Sequence, residues 1–161
     1  MDMKDSGERQ QFDDGAVRDT AEGKPDMSLL GPYAWEDLPW GAYVRDYMLT
    51  HDIQHMQKMF SQLVGTYSYA RLCEWLRQGA VKYDRFNWAR GMPISRCLAS
   101  LGRHLLAMQN CADDEDHAAA AMCNVSFIIH YHRAIQDHML PKHWNDVFEF
   151  NRMKEHDEKK D

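Results

Sequence analysis

The 161-residue chain lacks most features that mark specialised protein classes. Its four cysteines, Cys73, Cys97, Cys111 and Cys123, never form a C-x-x-C pair. Three of them fall inside apolar helical patterns, so they read as reduced thiols rather than a disulfide framework. No apolar run approaches the ~18 residues of a membrane span, and the N-terminus M-D-M-K-D-S-G-E-R-Q-Q has no apolar centre of a signal peptide. Export and membrane anchoring are therefore not expected; a cytoplasmic location is. A basic excess is missing too, since the net charge is −6, which argues against duplex nucleic acid as a partner. No segment sustains a period-two pattern of β-branched residues, and a sheet-based fold is excluded with it.

What the chain does have is helical periodicity. Trp40, Tyr43, Val44, Tyr47 and Met48 make one apolar face, and Ile53, Met56, Phe60, Leu63 and Val64 make a second. A third stripe, Tyr69, Leu72, Cys73, Trp75 and Leu76, is expected to end at Gly79. The fourth starts after Pro93 and carries Ile94, Cys97, Leu98, Leu101, Leu105 and Met108. The run from His117 to Ile135 is apolar almost all round, which places it at the centre of the molecule. A last short helix is expected over 143–153. The fold class is all-α: one domain over 12–150, a bundle of five or six helices with an extended N-terminal arm. Residues 1–11 read as a disordered leader and 151–161 as a charged mobile tail. The glycine- and proline-rich stretch from Phe12 to Pro32 discourages helix and strand alike. Its apolar residues suit an arm pinned against the helices, and its composition suits a disordered leader equally well.

Gly79 to Gly91, G-A-V-K-Y-D-R-F-N-W-A-R-G, is the stretch around which the chain is organised. It reads as an ordered connection between two packed helices. It concentrates Lys82, Arg85 and Arg90 with Tyr83, Phe86 and Trp88, with Asn87 between them and a glycine at each end. Phosphate needs cations and close backbone approach; a base needs a flat apolar face and an amide to read its edge. The same composition would also serve a plain loop whose aromatics plug the core. On the central helix, His117, Asn124 and Tyr131 are seven apart and share a face, with Asp113 to Asp116 crowding the N-terminal end as caps and dipole partners. With Glu74, Arg103 and His104 from neighbouring helices, these residues would make a polar pocket inside an apolar bundle, costly to bury without a partner. The H-D-I-Q-H at His51 to His55 has helical zinc spacing, but Asp52 stands where a metalloprotease has glutamate and no third ligand is near, so it is set aside.

Four blocks occur in order: Gly15-Ala16-Val17-Arg18-Asp19 followed by Gly23-Lys24-Pro25; the Gly79 to Gly91 stretch; R-H-L-L at Arg103 to Leu106; and D-E-D-H-A-A-A-A-M-C-N at Asp114 to Asn124. Together they resemble the phage-borne family called the dATP/dGTP diphosphohydrolase N-terminal domain, akin to MazG-like all-α nucleotide pyrophosphohydrolases. The resemblance spans Gly15 to about Ile135, with residues 34–67 as extra helical material. It implies hydrolysis of a purine deoxynucleoside triphosphate to monophosphate and pyrophosphate with magnesium or manganese, in a host cytoplasm if the gene is phage-borne. Carried onto this sequence, it implies Arg18, Lys24, Lys82 and Arg103 on the phosphates and Tyr83 and Trp88 on the base. Asn87, His104 and Asn124 complete the nucleotide-binding set. Glu74, Lys82 and His117 are the implied catalytic group, and Glu74 and Asp116 the metal ligands. The acidic pairs of the wider superfamily, E-x-x-E and E-x-x-D, are missing: Arg77 follows Glu74 by three, and His117, Ala121 and Asn124 stand where acids belong. That departure keeps open a non-catalytic sponge for a nucleotide-derived immune signal, or a partner-binding protein with a vestigial pocket. The aromatic-rich helices at Trp40 to Met48 and Ile53 to Val64 lead to an expectation of a homo-dimer or homo-tetramer.

Overall fold

The computed structural model describes residues 2–5, 7–13 and 15–148. Its body is five α-helices: α1 (Gly41–Thr50), α2 (Gln54–Tyr67), α3 (Tyr69–Tyr83), α4 (Ile94–Gln109) and α5 (His117–Gln136). α5 is apolar on nearly every side, so it sheds water only by being surrounded. It packs against α2, α3 and α4, while α1 lies against α2. Asp116 caps it, accepting the Ala119 N–H at 2.9 Å and satisfying one of the orphan donors of the first turn.

The stripes of α1, α2, α4 and α5 face inward, but in α3 only Leu72 and Trp75 are buried while Tyr69 and Cys73 of the same expected stripe are exposed. Val44, Tyr47 and Met48 of α1, Met56, Met59 and Leu63 of α2, and Ile94, Cys97, Leu98, Leu101 and Leu105 of α4 are all buried. Removing each large side chain from water contributes about 1.5–3 kcal/mol. Of the apolar faces of α1 and α2, from which a homo-dimer or homo-tetramer is expected, Val44, Tyr47, Met48, Met56 and Leu63 are buried within the chain, while Trp40, Tyr43, Phe60 and Val64 stay partly exposed.

Three expectations about element boundaries are corrected. α3 does not stop at Gly79 but runs on to Tyr83 and ends at Asp84, which adopts φ 82°. A mid-helix glycine costs about 1 kcal/mol relative to alanine, too little to stop a helix whose Trp75 and Leu72 are already packed. The connection is therefore the shorter segment 84–93. The helix expected over 143–153 is, within the described residues, one 3-10 turn at Lys142–Trp144 followed by irregular chain to 148. Asp146 is diverted to the start of α4, where its carboxylate accepts from the Ser95 N–H at 2.9 Å and from the Ser95 hydroxyl. Residues 149–161, including the charged tail, lie outside the described residues.

The third correction concerns the arm. β1 (Arg9–Gln11) and β2 (Val17–Asp19) form an antiparallel ribbon in which Arg9 faces Asp19 and Gln11 faces Val17. Gly15, at φ 92°, makes the turn between them. Glycine and proline content discourages a strand here, yet the ribbon forms because Val17 is also held from the side, as described below. Beyond it a 3-10 turn, Met27–Leu29, lies against α4, and a second, Pro32–Asp37, buries Trp35. Gly102 of α4 makes room for both: a Cβ there would sit 2.6 Å from Met27 Cβ and 2.9 Å from the Trp35 ring. The arm is pinned, and it pins across the face of the bundle that matters most.

Candidate functional site

Between the arm, α3, the 84–93 connection and one face of α4 and α5 lies a cavity of about 950 Å³, within the ~300–1,000 Å³ typical of ligand sites. His117, Asn124 and Tyr131, seven apart on α5, hold its walls in place. His117 Nδ1 meets His104 Nδ1 of α4 at 3.0 Å. Asn124 Oδ1 accepts from Arg18 of the arm at 2.7 Å, and Asn124 Nδ2 donates to Ala120 O at 2.8 Å and to Ser100 Oγ at 3.2 Å. The Tyr131 hydroxyl donates to the Trp88 carbonyl at 2.8 Å, fixing the connection. One helix face thus positions α4, the arm and the connection in turn.

The charge in this cavity is lopsided. Eight lysine and arginine side chains line it against four carboxylates, Asp5, Asp19, Asp84 and Glu115, in a chain whose net charge is −6. The inner group is Arg18, Lys24, Lys82, Arg96 and Arg103. Burial lowers the Arg103 and Arg96 pKa values, and the nearby Arg18 lowers both further. Burial also lowers that of Lys24; Asp19 opposes this, while Arg103, Lys82 and Arg96 reinforce it. These cations repel one another in a partly desolvated space, and an anion would relieve the repulsion. Arg96, half-buried, keeps its Nε buried with no hydrogen-bond partner, an unmet donor of the kind a ligand oxygen satisfies. Arg103 donates to Pro25 O at 2.9 Å.

Lys82 is more committed than its sequence position suggests. It lies on α3 with its side chain 7% exposed, donating to Asp19 Oδ2 at 2.7 Å and to the Lys4 carbonyl. Asp19 also takes Arg9 at 3.0 Å, so the carboxylate of β2 occupies Lys82 as a ligand oxygen would. The Tyr83 ring lies under Lys82 and Arg9 at 5.1 and 5.2 Å. Burial and Asp19 together raise its phenol pKa, so it stays protonated. Trp88 lines the cavity and stacks on Phe127 with ring centres 6.0 Å apart and planes at 22°. Together they give the cavity a flat apolar wall.

Several expected site residues have other duties. Asn87, expected to read a base edge, is buried and fully used: its Oδ1 accepts from Val17 N–H and its Nδ2 donates to Val17 O, both at 2.7 Å. It acts as a third strand for the arm, and this sideways grip lets β2 form. Glu74 is exposed and does not line the cavity; Arg77 grips both of its oxygens at 2.7 and 2.8 Å and holds its carboxyl well below the usual range. The three-residue spacing that puts Arg77 where a second acid belongs also turns Glu74 to solvent. Asp116 caps α5 and is gripped by Arg71 at 2.7 and 2.9 Å, again outside the cavity. His117 is buried behind the wall; Asp114 Oδ1 binds its Nε2 at 2.8 Å. His104 lines the cavity, its pKa pushed down to about 3 by burial, with His117 and Arg18 adding to the effect. It is therefore neutral. The His51 and His55 rings are apart in role, one on the Phe148 carbonyl and one near Asp46.

Glu74 and Asp116, the two expected metal ligands, are not placed to hold magnesium in the cavity. A hard octahedral ion needs several oxygens, and the two carboxylates expected to supply them are paired with guanidinium groups instead. Sequence reasoning also missed Arg96 and Phe127, whereas Glu115 belongs to the Asp113 to Asp116 run considered as a source of metal oxygens. Arg96 was findable: it precedes Ser100 by four and Arg103 by seven, one polar stripe on an otherwise apolar helix.

A family model described as dATP/dGTP diphosphohydrolase, N-terminal, matches residues 50–139. No curated protein and no solved structure matches the chain. The matched span contains α2, α3, α4 and α5, so α2 lies within it although the sequence reading placed residues 34–67 outside. The arm that supplies Arg18 and Lys24 precedes it. No described helix is long and apolar enough to cross a membrane.

Proposed function

Since the chain belongs to the dATP/dGTP diphosphohydrolase N-terminal family, we propose that its cavity binds a purine deoxynucleoside triphosphate and that the protein acts on it as a pyrophosphohydrolase. The excess of cations inside an acidic protein carries this reading. Arg18, Arg96, Arg103 and Lys24 take the phosphates, where charge-assisted bonds are about twice as strong as neutral ones. Lys82 joins them when a phosphate oxygen displaces Asp19. The base lies against Trp88 and Phe127, a contact that tolerates either purine because every base has a stacking face. The neutral His104 accepts or donates a single hydrogen bond at the opposite end.

A second reading, capture without cleavage, is favoured by one observation: Glu74 and Asp116, the expected metal ligands, are both tied to arginines away from the cavity. A host-cytoplasmic sponge for a nucleotide-derived signal would need the cations and the aromatic wall but no metal carboxylates. One experiment separates the two. Purified protein is incubated with dATP, dGTP and cyclic dinucleotides, with magnesium or manganese, and both the solution and the ligand freed by denaturation are analysed. Monophosphate and pyrophosphate support turnover; intact ligand released from the protein supports capture; finding neither product nor retained nucleotide overturns both.

A further inference from the structure

We propose that His104, Glu115 and His117, where α4 meets the start of α5, form a binding site for a borderline transition-metal ion, with zinc the best match. The three residues each offer a ligand atom, and these atoms lie within 4.8 Å of one another. The two imidazoles present the same atom to a common point, Nδ1 facing Nδ1 at 3.0 Å. Two nitrogens bound tetrahedrally at about 2.0–2.1 Å from zinc stand about 3.3 Å apart, so loading needs an opening of a few tenths of an ångström and a tautomer change of His104 that moves its proton from Nδ1 to Nε2.

The surroundings fit a metal site in three further respects. Asp114 Oδ1 takes the Nε2 hydrogen of His117 at 2.8 Å, which leaves the lone pair on Nδ1 and reproduces the carboxylate–histidine–metal arrangement that fixes a ligand's tautomer and orientation. His104 is held from its other side by the Trp75 ring, edge-on at 6.2 Å. Lys4 donates its backbone N–H to Glu115 Oε1 at 2.6 Å, so one carboxylate oxygen is anchored and the second is left for the ion. Of the nearby cations, the Lys4 ammonium is spent on Asp114 and Arg71 on Asp116; Arg18 and Arg103 also act on His104, and the Glu115 and Asp114 carboxylates offset them. Two imidazoles and one carboxylate suit zinc, cobalt or manganese and not magnesium. Because His104 and Glu115 also line the cavity, a bound ion would keep its fourth position toward it, as open zinc sites do. The inference concerns the ion alone and does not depend on the nucleotide reading.

The test uses the whole chain, stripped with a chelator and free of nucleotide. Zinc binding is measured by calorimetry, and cobalt binding by the visible absorption that a four-coordinate ion gives. One zinc per chain and a four-coordinate cobalt spectrum are expected. Asp114→Asn should weaken zinc by about 10–100-fold, and His104→Gln should abolish the cobalt spectrum. Should His104→Gln disturb folding, Glu115→Gln, at a half-exposed position, should weaken binding with the helical circular dichroism unchanged. Cobalt spectra and zinc affinities that are the same as the parent's in all three variants would overturn the assignment, as would their loss on replacing the exposed Cys73 and Cys111 by serine. Displacement of zinc by an equal concentration of magnesium would overturn it as well.

Discussion

At its N-terminal end α5 carries four consecutive acids, and basic partners come to meet them: Arg71 takes Asp116 with two hydrogen bonds, and Lys4 takes Asp114 and Glu115. Half-way along the same helix, around Asn124, five cations from the arm, α3 and α4 gather with far less carboxylate among them. The first cluster is mostly closed within the chain, with Asp114 on Lys4 and Asp116 on Arg71. The second is open, with repulsion among its members and an unmet Arg96 donor. A helix start needs acids and receives them for its own sake, whereas crowded cations lower a protein's stability unless something else gains from them. Density of charge is therefore a weak pointer to a ligand; imbalance is the better one.

The comparison can be broken most directly at Arg18. Arg18→Met should weaken nucleotide binding about 10- to 150-fold, the equivalent of one charge-assisted bond, and cost about 1–3 kcal/mol of stability by orphaning Asn124 Oδ1; calorimetry and thermal unfolding read the two effects. Unchanged affinity would remove the open cluster from ligand binding. Trp88→Leu comes next. Losing one stacking contact of about 1–3 kcal/mol should reduce purine affinity by about five- to 150-fold, with pyrimidine nucleotides less affected. Asn87→Leu should leave the helices intact but cost about 1–3 kcal/mol from two lost backbone contacts. Hydrogen exchange should speed up at Val17 to Asp19 while α5 stays protected. Added salt sharpens the contrast: it should weaken nucleotide binding progressively and leave the thermal midpoint nearly unchanged, because the closed cluster is local and the core is apolar. The smallest effect belongs to Glu74→Gln, which should alter neither affinity nor turnover, since that carboxylate lies outside the cavity.

How far the sequence could be read depended on whether a property was local. The stripe Ile94, Cys97, Leu98, Leu101 and Leu105 lies along α4 as its spacing predicts, and α5 is central because no face of it can be left in water. His117, Asn124 and Tyr131 were legible as a line for the same reason: helix geometry alone aligns residues seven apart. Partners were not legible. Asn87 looks like a base reader until Val17, seventy positions away, claims both ends of its amide. Glu74 looks like a ligand until the rotation of α3 turns it outward. Lys82 stands in the cavity but carries Asp19, a pairing that only the ribbon's register creates. Long-range hydrogen bonds have no periodicity, so composition shows the donor and leaves its acceptor unknown.

The arm touches almost everything of interest while contributing little to the bundle's core. Its residues Arg18, Asp19 and Lys24 form one side of the cavity, whereas Leu98, Leu101 and Ile128 would remain packed without them. Folding and recognition are thus assigned to different stretches of chain. A protein trimmed ahead of Asp26 should still melt cooperatively as a helical bundle, yet it should be blind to nucleotides, with one whole side of its pocket cut away.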